Sequence, residues 1–119
     1  MKKALTILIV VLLFSLQLQA QYYSVSRVIA PLINKQWFPS DLSLHVENNC
    51  LYIENNNEVT QRFFKISEYY LIDNDNTIQF LAIDKEYDKC VVTFKFNQRK
   101  LKWVSIQYKT GQIFTYYIT

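Results

Sequence analysis

The chain has 119 residues with one Gly, two Pro, two Cys, one His and a formal net charge of +3. Half of it is hydrophobic and 19% is charged, which is too apolar for intrinsic disorder, and the length suits one ordinary domain. A single Gly leaves no phosphate-cradling loop or dinucleotide fingerprint, and one His with two Cys cannot by themselves make a four-ligand zinc site.

The amino terminus reads as an export signal. Met1-Lys2-Lys3 precedes an apolar run from Ala4 to Phe14, and a polar stretch then ends in Ala20. Such a run is too short to cross a bilayer, which needs about 20 apolar residues. Cleavage after Ala20 divides the chain into a cleavable signal, 1–20, and one small β domain, 21–119, with no membrane span after signal removal. The expected location is secreted or periplasmic, in a bacterial envelope setting. Lys2 and Lys3 leave with the signal, so eleven basic residues face ten acidic ones and the net charge falls to +1. Lys95, Arg99, Lys100 and Lys102 cluster at a turn, but a nucleic-acid partner is not expected of a nearly neutral domain.

In an oxidising compartment, Cys50 and Cys90 predict one disulfide. It would close a loop of about 40 residues, worth roughly 3–4 kcal/mol in the chain-entropy picture.

From residue 21 to 38 the expectation is a helical or irregular lead-in. Val25, Val28, Ile29, Leu32 and Ile33 follow helical spacing. Pro31 breaks the pattern, so a kinked helix runs from Ser24 to Lys35 or a short one begins near Pro31, and Phe38-Pro39 ends it.

From 42 to 118 the pattern predicts strands. Leu42, Leu44 and Val46 alternate with polar neighbours, Asn48-Asn49 intervenes, and Leu51 and Ile53 resume the alternation. Asn tolerates positive φ, so Asn48-Asn49 makes a hairpin turn without Gly. Asn55-Asn56-Asn57 is the next break, followed by a β-rich run from Val59 to Ile72 split near Ser67. Asp73 to Asn76 is a turn, Thr77–Ile83 a strand, Asp84–Asp88 a charged turn and Cys90–Phe96 a strand. A turn at Asn97–Lys100, a strand at Leu101–Tyr108, a tight turn at Thr110-Gly111 and a strand at Gln112–Ile118 complete the chain.

With Thr110-Gly111 as a two-residue turn, Tyr108 pairs Ile113, Ile106 pairs Thr115 and Val104 pairs Tyr117. Trp103 then shares the other face with Phe94, Phe96, Phe114, Tyr116 and Ile118. Both faces are apolar, so the sheet must be covered or must curl. The predicted class is all-β: an antiparallel meander of seven or eight short strands, curled into a barrel or sandwich, with a short N-terminal helix.

Little of the sequence points to catalysis. His45 alternates with leucines and has no nucleophile or orienting partner in any local motif. Asp73 and Asp75 begin like a calcium loop, with Asp84 at the twelfth position, but Ile78 stands where the EF-hand needs Gly, so a hairpin turn is expected. No catalytic residue, metal site or cofactor is predicted, and the chain is not expected to be an enzyme. The aromatics are the unusual resource: 18 remain after Phe14 leaves. Tyr69, Tyr70, Trp103, Tyr116 and Tyr117 form the predicted binding surface. The leading expectation is a small exported binding module acting through protein or envelope contacts. The alternative is a small barrel holding an apolar ligand. A helix-like start, Trp37 and about eight meandering strands resemble the order of elements in lipocalin-like barrels, although Lys35 stands where that family has Gly before the Trp.

Overall fold

A computed structural model describes residues 21–30, 36–68, 70–72 and 76–119. The expected export signal at 1–20, Tyr69, and residues 73–75, where a turn is expected, lie outside the described residues.

Ten strands make up the described chain. They are β1 Gln21–Ile29, β2 Gln36–Trp37, β3 Leu42–Glu47, β4 Cys50–Asn55, β5 Glu58–Lys65, β6 Tyr70–Ile72, β7 Thr77–Ile83, β8 Lys89–Asn97, β9 Lys100–Tyr108 and β10 Ile113–Ile118. All pairings are antiparallel. The path runs β10-β9-β8-β7-β5-β4-β3-β1, and β1 pairs back onto β10. Eight strands thus close into a barrel, in which the first and last strands of the main wall pair with each other. The short β2 and β6 extend the wall beside β1 and β7.

Asparagine turns drive the meander as the sequence predicts. Asn48 and Asn49 take φ of 52° and 63°, and Asn56 and Asn57 take 54° and 66°. Two successive left-handed residues match the right-handed twist of a hairpin. Gln98 and Arg99 adopt the same geometry, φ 52° and 67°, without the short side chains that favour it.

The helical lead-in is corrected. Residues 21–29 form a strand, and 36–37 form another; the alternative helix start near Pro31 falls in residues outside the description. The cause is a bulge at Ser26, between the pairs Val25–Ile118 and Arg27–Tyr117. The extra residue brings Val25 and Val28, three apart, onto one face, so a bulged strand carries helical spacing.

The register of the last hairpin is also corrected. Tyr108 N–H donates to Gln112 O at 2.9 Å, so the loop is Lys109-Thr110-Gly111, with Gly111 at φ +91°. One more loop residue shifts every pair by one and reverses the faces. Phe114 now pairs Ile106, Tyr116 pairs Val104 and Tyr117 pairs Trp103. A second irregularity, between the Lys95–Trp103 and Phe96–Leu101 pairs, turns Leu101 inward and Trp103 outward.

The core fills the barrel. Phe63, Phe80 and Phe94 are 1% exposed or less, among Leu44, Leu51, Ile78, Val92, Val104 and Ile106. Phe80 and Phe94 meet edge to face, 5.7 Å apart at 68°.

The disulfide is corrected too: Cys50 and Cys90 are separate, buried free thiols. β5 and β7 lie between β4 and β8, so the two residues are about three strand spacings, roughly 14 Å, apart along the wall. A disulfide needs Cα atoms within about 7 Å. Cys50 pairs with Glu47 and Phe64 on the outer face, whereas Cys90 faces inward and donates to Ala82 O at 3.7 Å.

Candidate functional site

The meander sends alternate turns to opposite ends of the barrel. One end carries the Asn56-Asn57 turn, the 84–88 turn and the 109–111 loop. At this end β5 and β7 are paired only through Phe64–Ile83 and Lys65–Ala82. Beyond Ile83 the chain leaves β5 to make the 84–88 turn, so the wall opens there. The opening is a cleft of about 510 Å³ between Thr60–Arg62, the 84–88 turn with Lys89, and the β9–β10 hairpin. That volume is in the range of small-ligand pockets, which occur at barrel mouths.

Asp84 builds one side of this mouth. Its Oδ1 accepts from the backbone N–H groups of Glu86 and Asp88, each at 2.9 Å. Those bonds fold the turn and hold Tyr87 at φ 66°. Its Oδ2 accepts from the Tyr108 hydroxyl at 3.0 Å. Burial, then this bond and the Asp84 charge, push the Tyr108 hydroxyl well above its ordinary range, so it stays a donor. The Tyr108 ring stands edge to face with Phe114, 6.3 Å apart at 85°. Both rings line the cleft, with Gln61 and Gln112 as polar neighbours. Below, burial raises the Cys90 thiol to about 12, with the Asp84 charge adding, so it is no nucleophile at neutral pH.

A second arrangement lies on the outer wall. Tyr22, His45, Tyr52 and Arg62 are successive cross-strand partners on β1, β3, β4 and β5. Tyr22 and His45 have ring centroids 4.7 Å apart, His45 and Tyr52 4.6 Å apart, and the Arg62 guanidinium lies 5.6 Å from the Tyr52 ring. His45 Nε2 is 3.6 Å from the Glu47 carboxylate, and Nδ1 lies against Glu54. These neighbours bury His45 to 7% exposure although it faces outward.

Of the predicted aromatic surface, the structure sets Tyr116 apart from Trp103 and Tyr117. Tyr116 faces the core at 5% exposure, and burial raises its hydroxyl to about 12. Trp103 and Tyr117 are outward neighbours, and the Arg27 guanidinium covers the Tyr117 ring at 3.9 Å. Tyr70 takes its place in β6 opposite Gln79. The mouth residues Tyr108, Phe114, Gln61 and Lys89 were not singled out from the sequence. The available signal was Asp84, an Asp at the head of a charged turn, whose side chain typically bonds backbone two residues on. Among the described residues there is no cluster of three His, Cys, Asp or Glu side chains that could hold a metal, and no helix is long and apolar enough to cross a membrane. No protein family, curated protein or solved structure matches the chain.

Proposed function

We propose that the protein is an exported, non-enzymatic binding protein that takes a small molecule at the mouth of its barrel. The observation that carries this is the cleft of about 510 Å³, with the Tyr108 and Phe114 rings in its lining. The apolar-ligand alternative places the molecule in the barrel interior. Phe63, Phe80 and Phe94 fill that space, so the ligand's position moves to the rim. Isothermal titration of the folded protein with small amphiphiles, paired with Phe114→Ala, tests the site. Saturable binding that the variant loses supports it; no saturable binding, or binding that Phe114→Ala leaves intact, refutes it.

Protein contact is the second reading, and one observation favours it. Phe64, Ile66 and Leu81 adjoin one another on the outer wall and are 48%, 44% and 38% exposed. Exposed apolar neighbours of this kind mark contact surfaces. Capture of one envelope protein by the wild type and equally by Phe64→Ser would count against this surface.

A further inference from the structure

The charges around the cleft name a ligand class, given the small-molecule reading of the mouth on which this depends. Arg62, Lys85, Lys89 and Lys109 line the opening together with Asp84, Glu86 and Asp88. The carboxylate of Asp84 is already occupied: both oxygens accept hydrogen bonds from the protein itself. Those donors are neutral and leave its charge in place, so the mouth carries four cations against three carboxylates, an excess of one positive charge. Lys85 Nζ donates to Thr60 O at 3.0 Å and so ties the turn to β5. Lys89 and Lys109 have no ion-pair partner among the described residues. Lys89 follows the 84–88 turn and Lys109 opens the 109–111 loop, so both reach the cleft at the same end of the barrel. Like charges lining one cleft repel, and an anion held among them removes the repulsion. Their neighbours at the mouth are the Tyr108 and Phe114 rings, which offer apolar area.

We infer that the mouth binds an amphiphilic anion: a flat or chain-like apolar body against Tyr108 and Phe114, with one carboxylate, sulfonate or phosphate between Lys89 and Lys109. The two parts of the site predict a joint requirement. Neither a small inorganic anion nor an uncharged apolar molecule satisfies both.

A matched pair of fluorescent probes tests this. Anilinonaphthalene sulfonate and N-phenylnaphthylamine share the same ring body and differ in the anionic group. The expected result is that the sulfonate binds about tenfold more tightly at low salt, from two exposed charge contacts. Salt should erode that advantage. It should also vanish in the Lys89→Gln, Lys109→Gln double variant while the weaker neutral probe binds as before. Both lysines are exposed, so circular dichroism of the double variant should match the wild type. Equal affinity for the two probes would overturn the anion inference and leave the small-molecule reading standing. An advantage that survives the double variant would overturn the assignment to Lys89 and Lys109. Failure of both probes to bind would overturn both readings.

Discussion

Replacing Asp84 with Ala should loosen the turn and the mouth together, because one carboxylate holds both. It accepts from Glu86 N–H and Asp88 N–H at 2.9 Å each and from Tyr108 at 3.0 Å. Hydrogen bonds to a charged group contribute about 1.5–3 kcal/mol each when shielded. Asp84 is half-buried and water can replace much of the loss, so each of the three bonds contributes nearer the roughly 0.5–1.5 kcal/mol of an ordinary hydrogen bond. The sum is about 2–4 kcal/mol, a large share of the ~5–15 kcal/mol that stabilises a domain. For about 100 residues that lowers Tm by roughly 10–25 °C. Tyr108→Phe removes only the third bond and should cost about 0.5–1.5 kcal/mol. The two variants share that bond, so the double variant should cost less than the sum of the singles by about 0.5–1.5 kcal/mol. Thermal and urea unfolding of the four proteins measures this cycle. A Tm drop below about 3 °C for Asp84→Ala, or strict additivity with Tyr108→Phe, would show that Asp84 does not organise the mouth.

Other consequences are as direct. Phe80→Ala should cost about 3–5 kcal/mol in urea unfolding, because the ring is 1% exposed and loses its contact with Phe94. Gln98→Asn with Arg99→Gly should raise stability by about 1 kcal/mol, since both positions hold left-handed backbone that Asn and Gly adopt cheaply. Tyr116 has a folded-state value near 12 against 10.0 ordinarily, and Cys90 near 12 against 9.0, so the folded state keeps both protons longer than the unfolded chain does. Their contribution is whole below about pH 9 and is lost as pH rises from 9 to 12; for Tyr116 alone it amounts to roughly 2–3 kcal/mol. Alkaline unfolding should therefore move to higher pH in Tyr116→Phe, followed by circular dichroism. Two thiols should react with a disulfide reagent in denaturant without prior reduction, and reductant should leave the unfolding midpoint unchanged.

The meander was legible because period-two alternation and Asn turns are local signals. Thr77–Ile83 emerges with the boundaries that the alternation predicts, and Asn48-Asn49 makes the two-residue turn that joins Glu47 to Cys50. The errors share one physical cause, an extra residue that no local pattern marks. At Ser26 it gives a strand helical spacing; in the Lys109-Thr110-Gly111 loop it exchanges Tyr116 with Tyr117. Closure of β1 onto β10 was beyond reach, because pairing between chain-distant strands leaves no local trace. His45 shows another limit. Its face was legible, but its burial depends on Tyr22 and Tyr52, which reach it only across strands.

Where a ligand can sit follows from how the barrel is filled. Eight strands enclose a space that side chains can occupy or that one small molecule can share. In this chain three phenylalanines occupy it, and each inward position of β7 and β8 is apolar. A small ligand is then best received where the strands stop pairing, and past Ile83, where β7 parts from β5, the wall opens into the cleft. Asp84 to Asp88 and Lys109 come from turns and Lys89 from the first position of β8, where substitution disturbs the ladder least. Rigidity and selectivity are therefore carried by different residues. Asp84 fixes the shape of the rim through backbone and Tyr108, while Lys89 and Lys109 set its charge without holding any strand in place. Exchanging those two lysines for glutamate should reverse the preference of the mouth from anionic to cationic amphiphiles and leave the fold intact, a separation that a site built inside the packed core could not offer.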